Sequence, residues 1–456
     1  MKRTLQTFAA LCGGSFSGED GAYSGVSADT RSLRAGEIYV ALHGPHFDGN
    51  EFLSSAAAAG AAAAVVDRAV SAAPLPVIEV ADGQAALTRA AAGWRAGFKG
   101  PLVGIAGSNG KTTVKEMTSS ILAQRGACLA TRGNLNNHIG VPLTLLRLAD
   151  EHHSAVVEVG ANRPGEVAAL VAIVRPTVGL ITNAGAEHLE GFGDLDGVAR
   201  AEGEMVAGLT AADVAVINAD DDYAQLWRDM TPARVVTFGV DSAADFRAAG
   251  VSEVLTDAGF RVTFTLQSPL GERAVQLNVG GRHNVRNAAA AAAAAVQAGA
   301  TLDDVALGLA SMQPVSGRLQ PARTRQGARL IDDSYNANPS SMRAGIDVLT
   351  QLPGPAWLVM GDMGELGDHA RDSHVQIGTY ARERGVQCLF ATGPLSALAV
   401  EAFGAGASWH TDTDSLARAV EARLSAEVTL LVKGSRSNRL ERVVAHLTGV
   451  AAKETH

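Results

Sequence analysis

Residues 102–113, LVGIAGSNGKTT, constrain this chain more than any other stretch. A short apolar run (Leu102, Val103, Ile105) stops at Gly107. Ser108, Asn109, Gly110, Lys111, Thr112 and Thr113 then lead into a helical pattern from Val114 to about Gln124. The order is strand, glycine loop, helix. Backbone N–H groups at such a helix start are unpaired and lie at the positive end of the helix dipole, so they bind anions. Lys111 is suited to neutralise β- and γ-phosphates, and the Thr112 hydroxyl to meet Mg²⁺. The longer phosphate-loop pattern has glycine five residues before the Gly-Lys pair; that position is Ile105, so this loop is the shortened G-x-x-G-K-T form. The pattern predicts binding of a nucleoside triphosphate, the alternative being a glycine turn with a solvated lysine.

A length of 456 residues suggests about three domains. The chain is 47% apolar and 19% charged, a globular composition, and its net charge of −9 argues against a general nucleic-acid surface. Cys12, Cys128 and Cys388 lie far apart, offering neither a disulfide framework nor a metal-ligand spacing, which fits a reducing compartment. Met1, Lys2 and Arg3 before residues 5–12 faintly resemble a signal sequence. Gln6 and Thr7 interrupt it, however, and Leu11 is wrong for processing, so an amphipathic first helix is expected. No run approaches 18 apolar residues, so the expectation is a cytoplasmic protein without a membrane span, monomeric by default.

Pattern changes divide the chain at about residues 81 and 315. Residues 1–81 are strand-like and glycine-punctuated, with a helix expected at about 50–64 and a strand at 61–66. Between 82 and 315, a helix at 83–98 precedes the phosphate loop. Short apolar strands follow at 155–159, 178–182, 214–217 and 235–238. Such strands separated by helices indicate a parallel sheet covered on both faces. Residues 261–266 and 274–279 read as an appended antiparallel hairpin. A turn-rich hinge at 314–318 leads into residues 316–456, a second α/β pattern with strands at 328–331, 356–360, 387–392 and 429–432.

In an open α/β sheet, ligands sit beyond the C-terminal strand ends. There the sequence places Glu158, then Asn183, Glu187 and His188, and on a following helix Glu202 and Glu204. Mg²⁺ prefers few, oxygen ligands, so Glu158 with the Thr112 hydroxyl makes a credible metal site and His188 could complete a second. Asn284 and Asn287 lie one helical turn apart and could read an adenine edge, or act as N-caps. Asp333 ends an apolar strand and could hold ribose hydroxyls, or belong to an Asx-rich turn capping a helix near Pro339. A loop carrying Ser27, Asp29, Thr30 and Arg31 could bind a phosphate through the guanidinium, or present an exposed Asp–Arg pair.

Taken together, GSNGKTT, GNLNNHIGVP, VVEVGANRPGE, TNAGAEHLEGFG, GRHNVRNAAAA, SGR, DDSYNANPSSM, GDMGELG and VKGSR cover nearly the whole chain and resemble the Mur ligase family, ATP-dependent amide-forming enzymes of peptidoglycan precursor synthesis. DDSYNANPSSM and GDMGELG are similar to members that join D-alanyl-D-alanine to UDP-N-acetylmuramoyl-tripeptide. The resemblance implies an α/β fold of three domains. A central, parallel-sheet P-loop ATPase-like domain would be flanked by an N-terminal α/β domain holding the UDP substrate and a C-terminal Rossmann-like domain bringing the dipeptide. It implies ATP contacts from Gly107 through Thr113, with Asn284, Asn287, Arg318 and Asp333. It implies Mg²⁺ ligands in Thr112, Glu158, His188 and Glu202, and substrate contacts from Ser27, Asp29, Thr30, Arg31 and Asn137. Lys111, Glu158, His188 and Glu202 would carry the chemistry. Two departures stand out: Asn50 occupies the place of the family's DGHDF histidine, and Glu202 that of a lysine carbamylated in the family. Glu202 supplies a carboxylate without a CO₂ adduct, but its side chain reaches roughly 3–4 Å less far. The alternatives are a related ligase adding a single amino acid and a P-loop regulator spending ATP on conformational work.

Overall fold

In the computed structural model, which describes residues 3–70, 72–256 and 259–450, three sheets follow one another along the chain. The first has five strands between Ser15–Phe16 and Val77–Glu79, the second nine between Leu102–Ala106 and Gly271–Leu277, and the third six between Gln320–Arg323 and Thr429–Lys433. A two-stranded ribbon, His43–Gly44 with Phe47–Asp48, stands apart from them.

The central sheet positions the site. Leu102–Ala106 is buried along its whole length because both neighbours are parallel strands: Ser154–Glu158 on one side and Val178–Ile181 on the other. Parallel pairing in register, with Glu158 opposite Ile105 and Ile181 opposite Ala106, brings Gly107, Glu158 and Asn183 out at the same sheet edge. The helix Lys111–Leu122 covers one face and packs against Arg282–Gln297, whose Ala288 through Ala295 are fully buried. An unbroken run of alanines makes this helix thin enough to lie close against both the sheet and its neighbour. The opposite face is covered by Leu195–Ala207 and Gly83–Gly97 among others, in a core shared with the first sheet.

Several local expectations are corrected. The helix expected at 50–64 is a 3₁₀ turn, Gly49–Phe52, followed by the short helix Leu53–Ala58; Gly60, at φ +82°, ends it before the strand Ala63–Val66. The expected hairpin is a three-stranded antiparallel meander, because Phe246–Thr256 pairs with Gly259–Ser268 and also runs parallel to Arg234–Gly239. Its alternation was masked by small residues, Ala248, Ala249 and Gly250, on the inward and bulged positions. The phosphate-loop helix begins at Lys111 itself, with Gly110 as its left-handed cap. Asn284 and Asn287 are not caps: Gly281, at φ +95°, precedes a helix that already includes both. No helix among the described residues is long and apolar enough to cross a membrane.

Candidate active site

Two glycines shape the phosphate loop. A Cβ on Gly107 (φ +122°) would lie 2.1 Å from the Thr182 hydroxyl, and one on Gly110 (φ +85°) 2.6 Å from Asn287 Oδ1, so neither position has room for a side chain. The loop is clamped from the next strand end. The Ser108 N–H donates to the Asn183 carbonyl (2.9 Å), the Asn109 N–H to Asn183 Oδ1 (3.0 Å), and the Gly185 N–H to the Ser108 hydroxyl (2.8 Å). Asn183, which the sequence placed at this strand end without a role, therefore holds the loop in shape.

Lys111 donates to the carbonyls of Gly107 and Ser108 and to Glu187 Oε1 at 3.1 Å. Burial alone would lower its ammonium; the carboxylates of Glu187, Glu202 and Glu158 more than offset that and hold it above the usual lysine range. The Thr112 hydroxyl donates to Glu158 Oε1 (3.3 Å), which also accepts from Asn136 Nδ2 (2.9 Å). Glu158 Oε2 is buried with no hydrogen-bond partner. Glu202, reaching up from Leu195–Ala207, accepts the Gly107 N–H at 2.6 Å, and burial pushes its carboxyl up to about 7. Lys111 opposes that rise and Glu187 adds to it. The small cluster of Leu189, Phe192, Val198 and Ala201 packs the His188 turn onto the helix that carries Glu202.

Among the described residues, no three His, Cys, Asp or Glu side chains are grouped closely enough to form a complete metal shell. Glu158, His188 and Glu202 are thus not a preformed three-ligand site: Glu202 is held by the loop N–H, and His188 Nδ1 meets Glu365 Oε2 at 2.6 Å. Mg²⁺ does not require such a shell, since it keeps waters and takes one or two carboxylates together with substrate phosphates. The orphaned Glu158 oxygen beside the Thr112 hydroxyl fits that chemistry.

Beside the loop lies a cleft of about 300 Å³ walled by both the second and the third sheet regions. Asn284, Asn287, His283, Arg318, Asp333 and Ser340 are among its lining residues. Asn284 Nδ2 donates to the Gly280 carbonyl (2.7 Å) and Asn287 Nδ2 to Asn284 Oδ1 (3.0 Å), which orients both amides. This relay turns Asn287 Oδ1 toward Gly110 as an acceptor. Burial pushes His283 down to about 4, so its ring is neutral at physiological pH. Asp333 is braced by Lys433 (2.6 Å) and accepts the Leu319 N–H (3.1 Å), while the Arg318 guanidinium stacks 4.5 Å from the Tyr335 ring centre.

The cleft is closed across the hinge by direct contacts. Asn338 Nδ2 donates to Asn109 Oδ1 (2.8 Å) and Asn109 Nδ2 to the Ser340 hydroxyl (3.0 Å). Asn338 does cap Pro339–Gln351, as the Asx-turn alternative has it, and it reaches the phosphate loop as well. Sequence reasoning placed Glu187 at the strand end of Asn183 without a role, offered Asn338 and Lys433 only as dipeptide-site candidates without geometry, and missed Glu365. Lys433 meets Asp333 from the neighbouring parallel strand of the third sheet, whereas the contacts of Asn338 and Glu365 depend on two domains meeting, which no local pattern reports.

Other candidates are not gathered here. Ser27, Asp29, Thr30 and Arg31 do not line the cleft. Arg31 forms a bidentate pair with Asp29, its Nη2 2.6 Å from Oδ2, and the Ser27 hydroxyl bonds the Asp29 backbone. Asn137 Oδ1 accepts the N–H groups of Ile139 and Gly140. Asn50 is buried and donates to Asp48 and Asp67.

Comparison with known proteins yields one answer along the whole chain. The family model described as Mur ligase family, catalytic domain matches residues 22–95; Mur ligase middle domain matches 105–295; and Mur ligase, glutamate ligase domain matches 317–436. The UDP-N-acetylmuramoyl-tripeptide–D-alanyl-D-alanine ligase of Escherichia coli is 42% identical over 449 residues, covering 97% of this chain and 98% of that protein. A crystal structure of MurF from Acinetobacter baumannii superposes with a TM-score of 0.89 at 33% identity, covering 98% of both chains. The MurF ligase of Thermotoga maritima, solved in complex with ADP, gives 0.81 at 25% identity over 93% of this chain and 97% of that one. With three family models in sequence order and near-complete coverage of both chains, this chain belongs to the Mur ligase family.

Proposed function

We propose that the protein uses ATP to join D-alanyl-D-alanine to UDP-N-acetylmuramoyl-tripeptide through an acyl phosphate. The observation that carries this reading is the phosphate loop held between two domains, with Asn338 and Ser340 of the third sheet region on Asn109 beside a nucleotide-sized cleft. A regulator would need only the central domain to hydrolyse ATP. A loop completed from across the hinge suits a reaction in which the γ-phosphoryl group is delivered to a second substrate.

A carboxylate is a poor acyl donor. Its oxygen attacks the γ-phosphorus, the bond to the β–γ bridging oxygen breaks, and ADP leaves. The dipeptide amine then adds to the acyl-phosphate carbonyl; the tetrahedral intermediate expels inorganic phosphate, and the amine proton passes to solvent or to phosphate. The protein's part is placement and charge. Loop N–H groups and Lys111 meet the negative charge spreading over the γ-phosphoryl oxygens. Binding ATP requires Lys111 to exchange its loop carbonyls for phosphate oxygens, while Glu187 keeps the ammonium aimed at the site. Asn287 Oδ1, presented as an acceptor, suits the exocyclic amine of adenine and disfavours the guanine carbonyl. Mg²⁺ at Glu158 and the Thr112 hydroxyl would neutralise phosphate charge. Contact between the domains would shield the acyl phosphate from water. The first domain holds the nucleotide end of the tripeptide substrate near Ser27, Thr30 and Arg31, and the third presents the dipeptide.

The test is phosphate release with each substrate omitted in turn. Turnover is expected only when ATP, UDP-N-acetylmuramoyl-tripeptide and D-alanyl-D-alanine are all present; release without substrates, or with one free amino acid in place of the dipeptide, defeats the proposal. In the same assay Asn287→Ala is expected to raise the KM for ATP about tenfold, the loss of one buried hydrogen bond, with little change in kcat.

A further inference from the structure

The GDMGELG motif has no part in the chemistry described above, yet its glutamate reaches from the third domain to His188 beside the phosphate loop. The geometry points to Glu365 as a positioning residue for His188: the third domain supplies the carboxylate that fixes the His188 ring, so the ring is set only when that domain is docked. This rests on the ligase reading of the same site.

His188 Nδ1 and Glu365 Oε2 are 2.6 Å apart, from residues 177 positions apart in the chain. A neutral imidazole has one N–H; committing Nδ1 to a carboxylate assigns that hydrogen to it and leaves Nε2 to address ligands. His188 interacts electrostatically with Lys111 and Glu202, which puts its ring at the phosphate end of the site. Phe192 fixes the other side of the ring, edge to face with centroids 6.5 Å apart.

Both partners sit in backbone conformations that side-chain-bearing residues avoid, His188 at φ +51° and Glu365 at φ +62°. Only six described non-glycine residues have positive φ, and two of them face each other across this one contact. Such conformations persist where surroundings over-determine them, and they cluster at sites where the strain has a use. Glycine would satisfy the turn at 365 at no steric cost. Glu365 is also 64% exposed along its side chain, so packing does not require it. What remains is its reach to His188. Nearby Gly367 lies beside Glu190, where an added Cβ would come 3.5 Å from the Glu190 Cα.

Glu365→Gly in the full-length protein is the discriminating variant, because it relaxes the backbone while removing an exposed side chain whose one cited contact is the carboxylate on His188. Expected are a 10–100-fold fall in kcat, the size found when a carboxylate behind a site histidine is removed, with the KM for ATP within about twofold and the melting temperature no lower. In ¹⁵N-histidine-labelled protein, the His188 ring signal, assigned by its loss in His188→Gln, should shift from a single Nδ1–H tautomer to a tautomer mixture. Glu365→Gly combined with His188→Ala should be no slower than His188→Ala alone. Wild-type kcat in Glu365→Gly, multiplying effects in the double variant, or an unchanged ring signal each overturn the assignment. Failure of the ligase reading would show separately, as no substrate-dependent turnover in the wild type, and the ring signal would still decide the pairing.

Discussion

Lys111→Ala is expected to lower kcat by about 10²–10³-fold, the effect of removing one preorganised charge from a transition state whose main demand is charge stabilisation. It should also cost stability, because the ammonium is set among the carboxylates of Glu187, Glu202 and Glu158. Removing one partner of a buried ion pair typically costs about 3–5 kcal/mol, since the remaining charge is left uncompensated. The two losses separate by pH. Without Lys111 the Glu202 carboxyl takes up a proton more readily, and a protonated carboxyl needs no cation. The melting-temperature deficit relative to wild type should therefore be larger at pH 8 than at pH 5, while the kcat deficit at optimal pH remains. Product formation followed by ADP release, with thermal unfolding at the two pH values, reads both. A kcat within fivefold of wild type would remove Lys111 from its role, and a deficit that does not change with pH would remove the carboxylates from theirs.

The unequal legibility of this site in the sequence has a physical cause. Gly107, Gly110, Lys111 and Thr112 could be read directly because a phosphate loop is local: one strand, one turn and one helix start determine it, and the backbone itself does the binding. Glu158 could be read because parallel pairing places consecutive strand ends at one edge, a rule of topology rather than of distance. Asn183 could be placed at its strand end but not given its role, since it acts on the loop through backbone and amide hydrogen bonds that no composition signal marks. Asn338 looked like an N-cap and is one; its second contact, with Asn109, exists only because two domains meet. Arg31 went the other way: the pair with Asp29, weighed as an alternative, is what the structure contains. The meander strand Phe246–Thr256 escaped because strand pattern is carried by side chains, and three consecutive small residues erase it.

Glu202→Gln is expected to make the protein more stable and less active at once. The carboxyl is 5% exposed and burial pushes it from an ordinary value near 4.5 up to about 7. Between these values the folded chain holds a proton that the unfolded chain has released, so stability declines as pH rises through that window and the full penalty is present above about 7. The difference corresponds to roughly 3 kcal/mol. Glutamine carries no such penalty, and its amide oxygen can still accept the Gly107 N–H, so the loop keeps its shape. The stabilisation should be negligible near pH 4.5, grow toward pH 7, and plateau as an increase of several degrees in melting temperature. Activity should fall about 10–100-fold, because the amide cannot supply negative charge once triphosphate and cation enter. Added bicarbonate should leave wild-type turnover unchanged, since Glu202 needs no CO₂ adduct to carry its charge. A variant less stable than wild type at pH 8, or one that is fully active, would mean that Glu202 is retained to hold the Gly107 turn and not for its charge. Opposite signs in stability and activity are the mark of a carboxylate kept at a cost to folding because the reaction uses it.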